Sequence, residues 1–162
     1  ENTVKAVIYS TEGGIPAKSI LEDVQSYIDP IVEGYQVTVN GKVLTFSDGL
    51  GDGVSDLGAH FLAAAPEAVD ISVSFSADLK SGYSKQTAQT EVQNAIKTYF
   101  KTLVVDGDED ITVRVSSIGS LIASAESILD YVPASLKLNG STENVKLGKE
   151  SAPVLKEVLI DA

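Results

Sequence analysis

The stretch from Val69 to Leu103 constrains the fold more than any other part of the chain. Its first part, Val69 to Leu79, alternates apolar and polar residues without interruption. Successive side chains of a strand point to opposite faces, so the apolar groups share one face and the Ser and Asp residues share the other. The pattern predicts a strand that is buried on one face and solvent-exposed on the other.

A helix is predicted to follow this strand, after a break at residues 80–82. Ser84 is its predicted N-cap, because a serine hydroxyl can accept a hydrogen bond from an otherwise unpaired backbone N–H. Apolar residues then recur at helical spacing, namely Ala88, Val92, Ala95, Ile96, Tyr99 and Leu103. The polar, solvent-exposed face of the strand argues against a doubly wound sheet, because such a sheet needs apolar residues on both faces. We therefore predict an α+β fold of two small two-layer domains, each a mostly antiparallel or mixed sheet packed against one or two helices.

Composition narrows the possible partners and chemistry. The net charge of −11 on 162 residues argues against DNA, RNA and anionic membranes, because a phosphate-binding surface needs clustered Lys and Arg. There is no cysteine, and His60 is the only histidine, so a histidine-based catalytic triad depends on this residue alone. No apolar run approaches the roughly 20 residues that span a bilayer. The chain has no methionine and starts at Glu1, which predicts a fragment or a trimmed product.

The first predicted domain covers residues 1–66 and contains a strand, a helix, a hairpin and a second strand. Thr3 to Tyr9 forms the first strand, and Pro16 is predicted as the first residue of the helix, where a missing N–H is tolerated. The apolar face of this helix carries Ile20, Leu21, Val24, Tyr27 and Ile28, and Asp29-Pro30 ends it. Tyr35 to Phe46 is predicted as a hairpin, because Asn40-Gly41 favours a type I′ turn. A glycine-rich loop then leads to the short strand Ala59–Ala65.

The second predicted domain covers residues 67–162, with the boundary at Pro66-Glu67. After the central strand and helix, Asp106 to Asp110 forms an acidic turn and Ile111 to Val115 a strand. Ser116 or Ser117 is predicted to cap a helix with Ile118, Leu121, Ile122 and Ala125 on one face. Three strands complete the domain, about Ser135–Leu138, Asn144–Leu147 and Val154–Ile160, and Asn139-Gly140 is predicted to turn the first into the second.

Two acidic segments carry aspartates that could act as calcium ligands. Asp106, Asp108 and Asp110 have the spacing with which a calcium loop begins, but Ile111 and Ser117 stand where that loop needs Gly and Glu. Asp48, Asp52 and Asp56 could hold a hard cation, but the glycines between them already explain a loop. We expect neither segment to bind calcium.

No other residues assemble into a predicted active site. Gly49, Gly51 and Gly53 lack the next glycine of a dinucleotide loop, because Val54 occupies its position. His60 is interpreted as a structural strand histidine. Asn139-Gly140-Ser141 fits the glycosylation pattern, but its predicted turn accounts for it. The sequence therefore predicts no catalytic residues, no cofactor, no metal and no enzyme.

Short motifs follow one another along nearly the whole chain: Gly13–Pro16, Val24–Pro30, Asp48–Gly53, Leu57–His60, Ala65–Val69, Lys80–Ser84, Val113–Gly119, Leu136–Val145 and Ala152–Leu155. In this order they resemble the baseplate J-like proteins of contractile-tailed phages. The resemblance implies the C-terminal portion of such a protein, with a larger N-terminal part missing. It also implies a structural family that builds the wedges of the baseplate ring in phages, prophages and phage-derived injection machines. The Tyr35–Phe46 hairpin and the Asp106–Asp110 turn depart from the family pattern, as insertions that could adapt the scaffold to a particular neighbour.

The resemblance gives the functional hypothesis. The chain is expected to be a structural component of a phage or prophage tail baseplate, located in the virion tail and, during assembly, in the host cytoplasm. The implied partners are other baseplate and tail proteins, with copies of itself in a ring as a further option. The isolated fragment is expected to be monomeric or weakly associating. The alternative hypothesis is a cation-dependent binding or adhesion module that uses the two acidic segments.

Overall fold

The computed structural model describes residues 2–11, 14–105 and 111–162, and it divides into two compact units. The N-terminal unit contains the described residues up to Ser10 and those from Ile15 to Pro66. The C-terminal unit contains Thr11, Gly14 and the described residues from Glu67 onwards.

The N-terminal unit is built around a pair of parallel strands. Its elements in chain order are β1 (Thr3–Val7), α1 (Lys18–Ile28), β2 (Tyr35–Val39), β3 (Lys42–Phe46) and β4 (His60–Ala64). Strand β1 pairs with β4 in parallel, and α1 packs against β4. Strands β2 and β3 form the predicted antiparallel hairpin. Asn40 and Gly41 have φ angles of 49° and 78°, as a type I′ turn requires, so the hairpin prediction is confirmed.

Helix α1 differs from its prediction in start and in burial. It begins at Lys18 with Ala17 as N-cap, so Pro16 precedes the helix and is not its first residue. No side chain of α1 is buried, and Tyr27 on the predicted apolar face is 69% exposed. The apolar residues have helical spacing and the helix is present. Among the described residues, however, the sheet beneath it is only two strands wide. A sheet of that width cannot cover a whole helix face.

The C-terminal unit is organised around its first strand. Its elements are β5 (Glu67–Leu79), α2 (Lys85–Val105), β6 (Thr112–Val113), α3 (Val115–Ala123), β7 (Ile128–Tyr131), β8 (Lys137–Leu138), β9 (Val145–Lys146) and β10 (Ser151–Asp161). Strand β10 lies parallel to β5 on one side, and β7 and β8 lie antiparallel on the other. The sheet is therefore mixed, helices pack on it, and the α+β prediction is confirmed.

The core of this unit forms where the two predicted apolar faces meet. Ile71, Val73, Phe75 and Ala77 of β5 are buried, whereas the Ser residues between them are half-buried. Ser84 caps α2, because its hydroxyl accepts the N–H of Thr87 at 3.1 Å. The buried line on α2 is Ala88, Val92, Ile96, Phe100 and Val104.

Tyr99 was predicted in this core, but it is only half-buried. The buried residues of α2 repeat every four positions from Ala88, which places Phe100 on the central line and Tyr99 at its margin. The hydroxyl of Tyr99 lies 3.5 Å from the backbone N–H of Arg114.

The later elements differ from prediction because distant residues fix them. The strand predicted over Ile111–Val115 covers only Thr112 and Val113, and α3 begins at Val115. Neither Ser116 nor Ser117 caps α3, because the N–H of Val115 is satisfied by the side chain of Asn144 at 2.9 Å.

The predicted Asn139-Gly140 turn is present and closes an isolated bridge between Leu138 and Ser141. Both turn residues have positive φ angles, 50° and 79°. However, β8 pairs with β5, and β9 pairs with β6. Strand β7 was not predicted, because the sequence Ile-Leu-Asp-Tyr gives too short a signal.

Candidate functional site

The glycine-rich loop between β3 and β4 covers the C-terminal end of α1. The backbone N–H groups of Val54 and Ser55 donate to the carbonyl oxygen of Ile28 at 2.9 and 3.0 Å. A Cβ added to Gly53 would lie 2.3 Å from that oxygen, so only glycine permits this approach. The loop therefore satisfies carbonyl groups that the end of a helix leaves unpaired.

The three aspartates of this loop do not converge. Asp48 accepts the N–H of Leu50 on Oδ1 at 3.1 Å, which is a local turn contact. Asp52 and Asp56 are exposed. In the described part of the chain there is no group of three or more His, Cys, Asp or Glu side chains that could hold a metal ion. Asp106, Asp108 and Asp110 lie outside the described residues.

His60 has structural partners on two sides. Its Nδ1 lies 2.8 Å from the carbonyl oxygen of Ser47, so Nδ1 carries the proton and donates it. The ring stacks on Tyr35 with a centroid distance of 4.3 Å and an interplanar angle of 22°. These contacts join the hairpin to β4, in agreement with a structural role for His60.

Gln25 completes the free edge of β4. Its Oε1 accepts the N–H of Ala63 at 2.8 Å, and its Nε2 donates to the carbonyl of Phe61 at 3.2 Å. These are the two hydrogen bonds that a neighbouring strand would make. Nε2 also donates to the carbonyl oxygen of Asp29 at 2.7 Å, which fixes the end of α1 against the strand.

Asp29 is the most unusual polar residue of the N-terminal unit. It is 0% exposed, and neither carboxylate oxygen has a hydrogen-bond partner among the described residues. Asp48 Oδ2 and Ser55 Oγ are also buried without a partner. Sequence reasoning interpreted Asp29 only as a helix end, because its burial depends on a loop some twenty residues further along.

The N-terminal unit exposes many large apolar side chains. Twelve of the sixteen exposed large hydrophobic residues of the described chain lie in it: Val4, Ile15, Ile20, Tyr27, Ile31, Val32, Tyr35, Val39, Val43, Leu50, Val54 and Leu57. Leu57 is 81% exposed, on the same loop as the exposed Asp52 and Asp56. Contiguous apolar surface is typical of protein–protein contacts, so the N-terminal unit is the better candidate of the two units for such a contact.

In the C-terminal unit one carboxylate, that of Glu91, has a clear structural role. The carboxylate of Glu91 on α2 accepts the N–H groups of Glu126 and Ser127 at 2.5 and 3.0 Å and the hydroxyl of Ser127 at 2.5 Å. Partial burial raises the pKa of Glu91, but these hydrogen bonds and the nearby Lys80 outweigh it and hold the pKa below its usual value. The carboxylate therefore fixes the turn between α3 and β7.

One cleft of the C-terminal unit lies beside β10. This cleft of about 520 Å³ between α2 and β10 is lined by Asn94, Lys97, Thr98, Phe100, Lys101, Pro153, Val154 and Leu155. This lining contains no carboxylate, histidine or cysteine. No helix among the described residues is both long and apolar enough to cross a membrane.

Comparison with known families identifies the class of protein. A search of curated proteins found no match. A family model, the Baseplate J-like protein C-terminal domain, matches residues 69–160, from the start of the β5 core to the end of β10. The match covers more than half of the chain, so the chain belongs to the family of baseplate J-like protein C-terminal domains. The resemblance drawn from the sequence is confirmed.

Proposed function

We propose that this chain is a wedge component of a phage or prophage tail baseplate and that it acts in assembly, without catalysis. The observation that carries the proposal is the family match over residues 69–160. Its partners are then other baseplate and tail proteins, and its place is the tail baseplate of the virion, after assembly in the host cytoplasm.

The two units have different roles in this proposal. The C-terminal unit has a continuous core of β5, α2 and α3 and serves as the rigid scaffold. The N-terminal unit has few buried side chains and most of the exposed apolar ones, which supports a role in contacting neighbouring subunits. We treat residues 1–66 and 67–162 as separate domains on this basis.

The Tyr35–Phe46 hairpin is the proposed contact element. Within the described chain, β2 and β3 pair only with each other. Val39 and Val43 near the turn are 45% and 61% exposed, whereas Phe46 at the base is buried. The base of the ribbon is held by the stacking of Tyr35 on His60. A two-stranded ribbon is otherwise marginally stable in water, so a partner surface at its tip would stabilise it.

Deleting the coding region in the source organism tests the assembly role. We expect tails without a completed baseplate, and restoration by the wild-type gene. Leu57→Asp should fail to restore assembly although it folds, because it places a charge on an exposed apolar contact. Ala17→Asp is the matched control, since it adds the same charge at the exposed N-cap of α1, where aspartate is favourable. Normal baseplates in the deletion strain would contradict the proposal.

Replacing residues 36–45 by two glycines tests the hairpin separately. Tyr35 pairs with Phe46, so a short connection can join them. We expect the shortened chain to remain folded, with an unchanged far-UV spectrum apart from the lost strands, and to lose assembly. Unfolding of the N-terminal unit would instead assign the hairpin to its core.

A further inference from the structure

Unpartnered buried oxygen atoms collect at the C-terminal end of α1. Among the described residues, the buried side-chain oxygens without a hydrogen bond are both carboxylate oxygens of Asp29, Oδ2 of Asp48 and Oγ of Ser55. All belong to the N-terminal unit, and Asp29 is 0% exposed.

A network of hydrogen bonds links the backbone at or next to these three residues. Ser55 follows Val54 across the end of the helix, with its N–H on the carbonyl of Ile28, the neighbour of Asp29. Ser47, the neighbour of Asp48, donates its N–H to the carbonyl of Phe61 at 2.9 Å. The same carbonyl accepts from Gln25 Nε2, which also donates to the carbonyl of Asp29. Residues 29, 48 and 55 therefore adjoin a single hydrogen-bonded junction.

The Asp29 side chain is buried without a hydrogen-bond partner among the described residues. An ionised carboxylate buried without a partner is strongly disfavoured, because it loses its hydration and gains no opposite charge. The carbonyl groups at the end of α1 add the negative end of the helix dipole, which disfavours an anion there. In the part of the chain that the structure describes, no hydrogen-bond donor reaches either carboxylate oxygen of Asp29. A positive charge at this position would remove the cost.

We propose that a hard divalent cation of the calcium or magnesium class binds at the C-terminal end of α1, with oxygen ligands from Asp29, Asp48 and Ser55. Carboxylate and hydroxyl oxygens are ligands that such cations prefer, and water completes their coordination. The site has two carboxylates, which is consistent with the absence of any three-acid group among the described residues. These ligands differ from Asp48, Asp52 and Asp56, the set that the sequence suggested. The proposal replaces the expectation that the loop containing Asp48 binds no cation.

Nuclear magnetic resonance of the ¹⁵N-labelled whole chain tests the site directly. Calcium chloride and magnesium chloride are titrated separately to millimolar concentrations. We expect saturable shifts of the amide signals of residues 28–29, 47–49 and 53–56 with at least one of the two ions, reversed by a chelator. The same ion should raise the melting temperature by several degrees, because a ligand that binds only the folded state stabilises it.

Variants assign the effect to Asp29. Asp29→Asn should abolish the shifts and the rise in melting temperature, whereas Asp52→Asn, at an exposed position of the same loop, should retain both. An unchanged response in Asp29→Asn would overturn the proposal. So would wild-type protein that shows no saturable shifts in these residues, or shifts confined to residues 106–110. Since the wild-type titration localises the ion by itself, the test stands even if Asp29→Asn fails to fold.

Discussion

Asn139 exchanges two hydrogen bonds with Ser72, although 67 residues separate them in the sequence. The N–H of Ser72 donates to Asn139 Oδ1 at 2.7 Å, and the backbone N–H of Asn139 donates to the carbonyl of Ser72 at 2.9 Å. Asn139 Nδ2 also donates to the carbonyl of Asp70 at 3.0 Å. The side chain therefore continues the edge pairing of β5 beyond β8, as Gln25 does for β4.

Asn139→Gly tests the energy of this contact. Glycine keeps the positive φ angle and removes only the side-chain hydrogen bonds. We expect a loss of about 1–2 kcal/mol in the free energy of unfolding, measured by urea titration. Asn40→Gly is the matched control, because Asn40 has nearly the same φ angle in an Asn-Gly turn without a side-chain partner in the described structure. Equal losses in the two variants would show that the contact contributes nothing.

Glu91→Gln should remove a pH-dependent part of the stability. The pKa of Glu91 is lowered on folding, although partial burial opposes this, because Ser127 and the backbone of Glu126 hydrogen-bond to the carboxylate. A lowered folded pKa gives stability that is present above the unfolded pKa and is lost as the pH falls through the folded pKa. We expect the variant to lose about 1–2 kcal/mol at neutral pH and less at pH values below the unfolded pKa.

Chemical denaturation at a series of pH values measures this effect. Glu143→Gln serves as the control, because Glu143 is exposed and its carboxylate has no partner in the described structure. A loss for Glu91→Gln that is the same at acidic and neutral pH would contradict the assigned role of the charge.

Phe75→Ala tests the core where the strand and helix faces meet. The ring is 3% exposed and lies edge-on to Tyr131, with centroids 6.4 Å apart. We expect a loss of about 3–5 kcal/mol in the free energy of unfolding. Leu159→Ala, at a 52% exposed position of β10, should cost less than about 1 kcal/mol. A loss below about 1 kcal/mol for Phe75→Ala would mean that the assigned faces are wrong.

The parts of the fold that the sequence predicted depend on neighbouring residues. The alternation of Val69–Leu79 predicted β5, and the Ser84 hydroxyl and the Asn40-Gly41 pair predicted a helix start and a turn. Each of these signals acts within a few residues.

The parts that the sequence missed depend on distant contacts. The N–H at the start of α3 is bonded by Asn144 and not by a local serine. Asn139 binds β5, and its turn closes only the single bridge between Leu138 and Ser141. Asp29 is likewise buried by a loop that follows it by some twenty residues. Such contacts leave no periodicity or local motif in the sequence. Of the three proposed cation ligands, only Asp48 was therefore singled out from the sequence.

Two opposing features govern self-association of the isolated chain. The net charge of −11 opposes self-association, while the exposed apolar residues of the N-terminal unit favour it. We expect a monomer of 17.0 kDa at micromolar concentration and low salt, with weak association as salt screens the charge. Light scattering over a concentration series measures this, and a tight dimer at low salt would contradict it.

Immunogold electron microscopy of purified tail particles tests the baseplate role most directly. Particles from the organism that encodes the chain are labelled with antibodies raised against it, and particles from a deletion strain control for non-specific labelling. We expect gold at the distal end of the tail, on the baseplate. Label along the tail tube or on the capsid, or particles that lack the polypeptide altogether, would contradict a baseplate component.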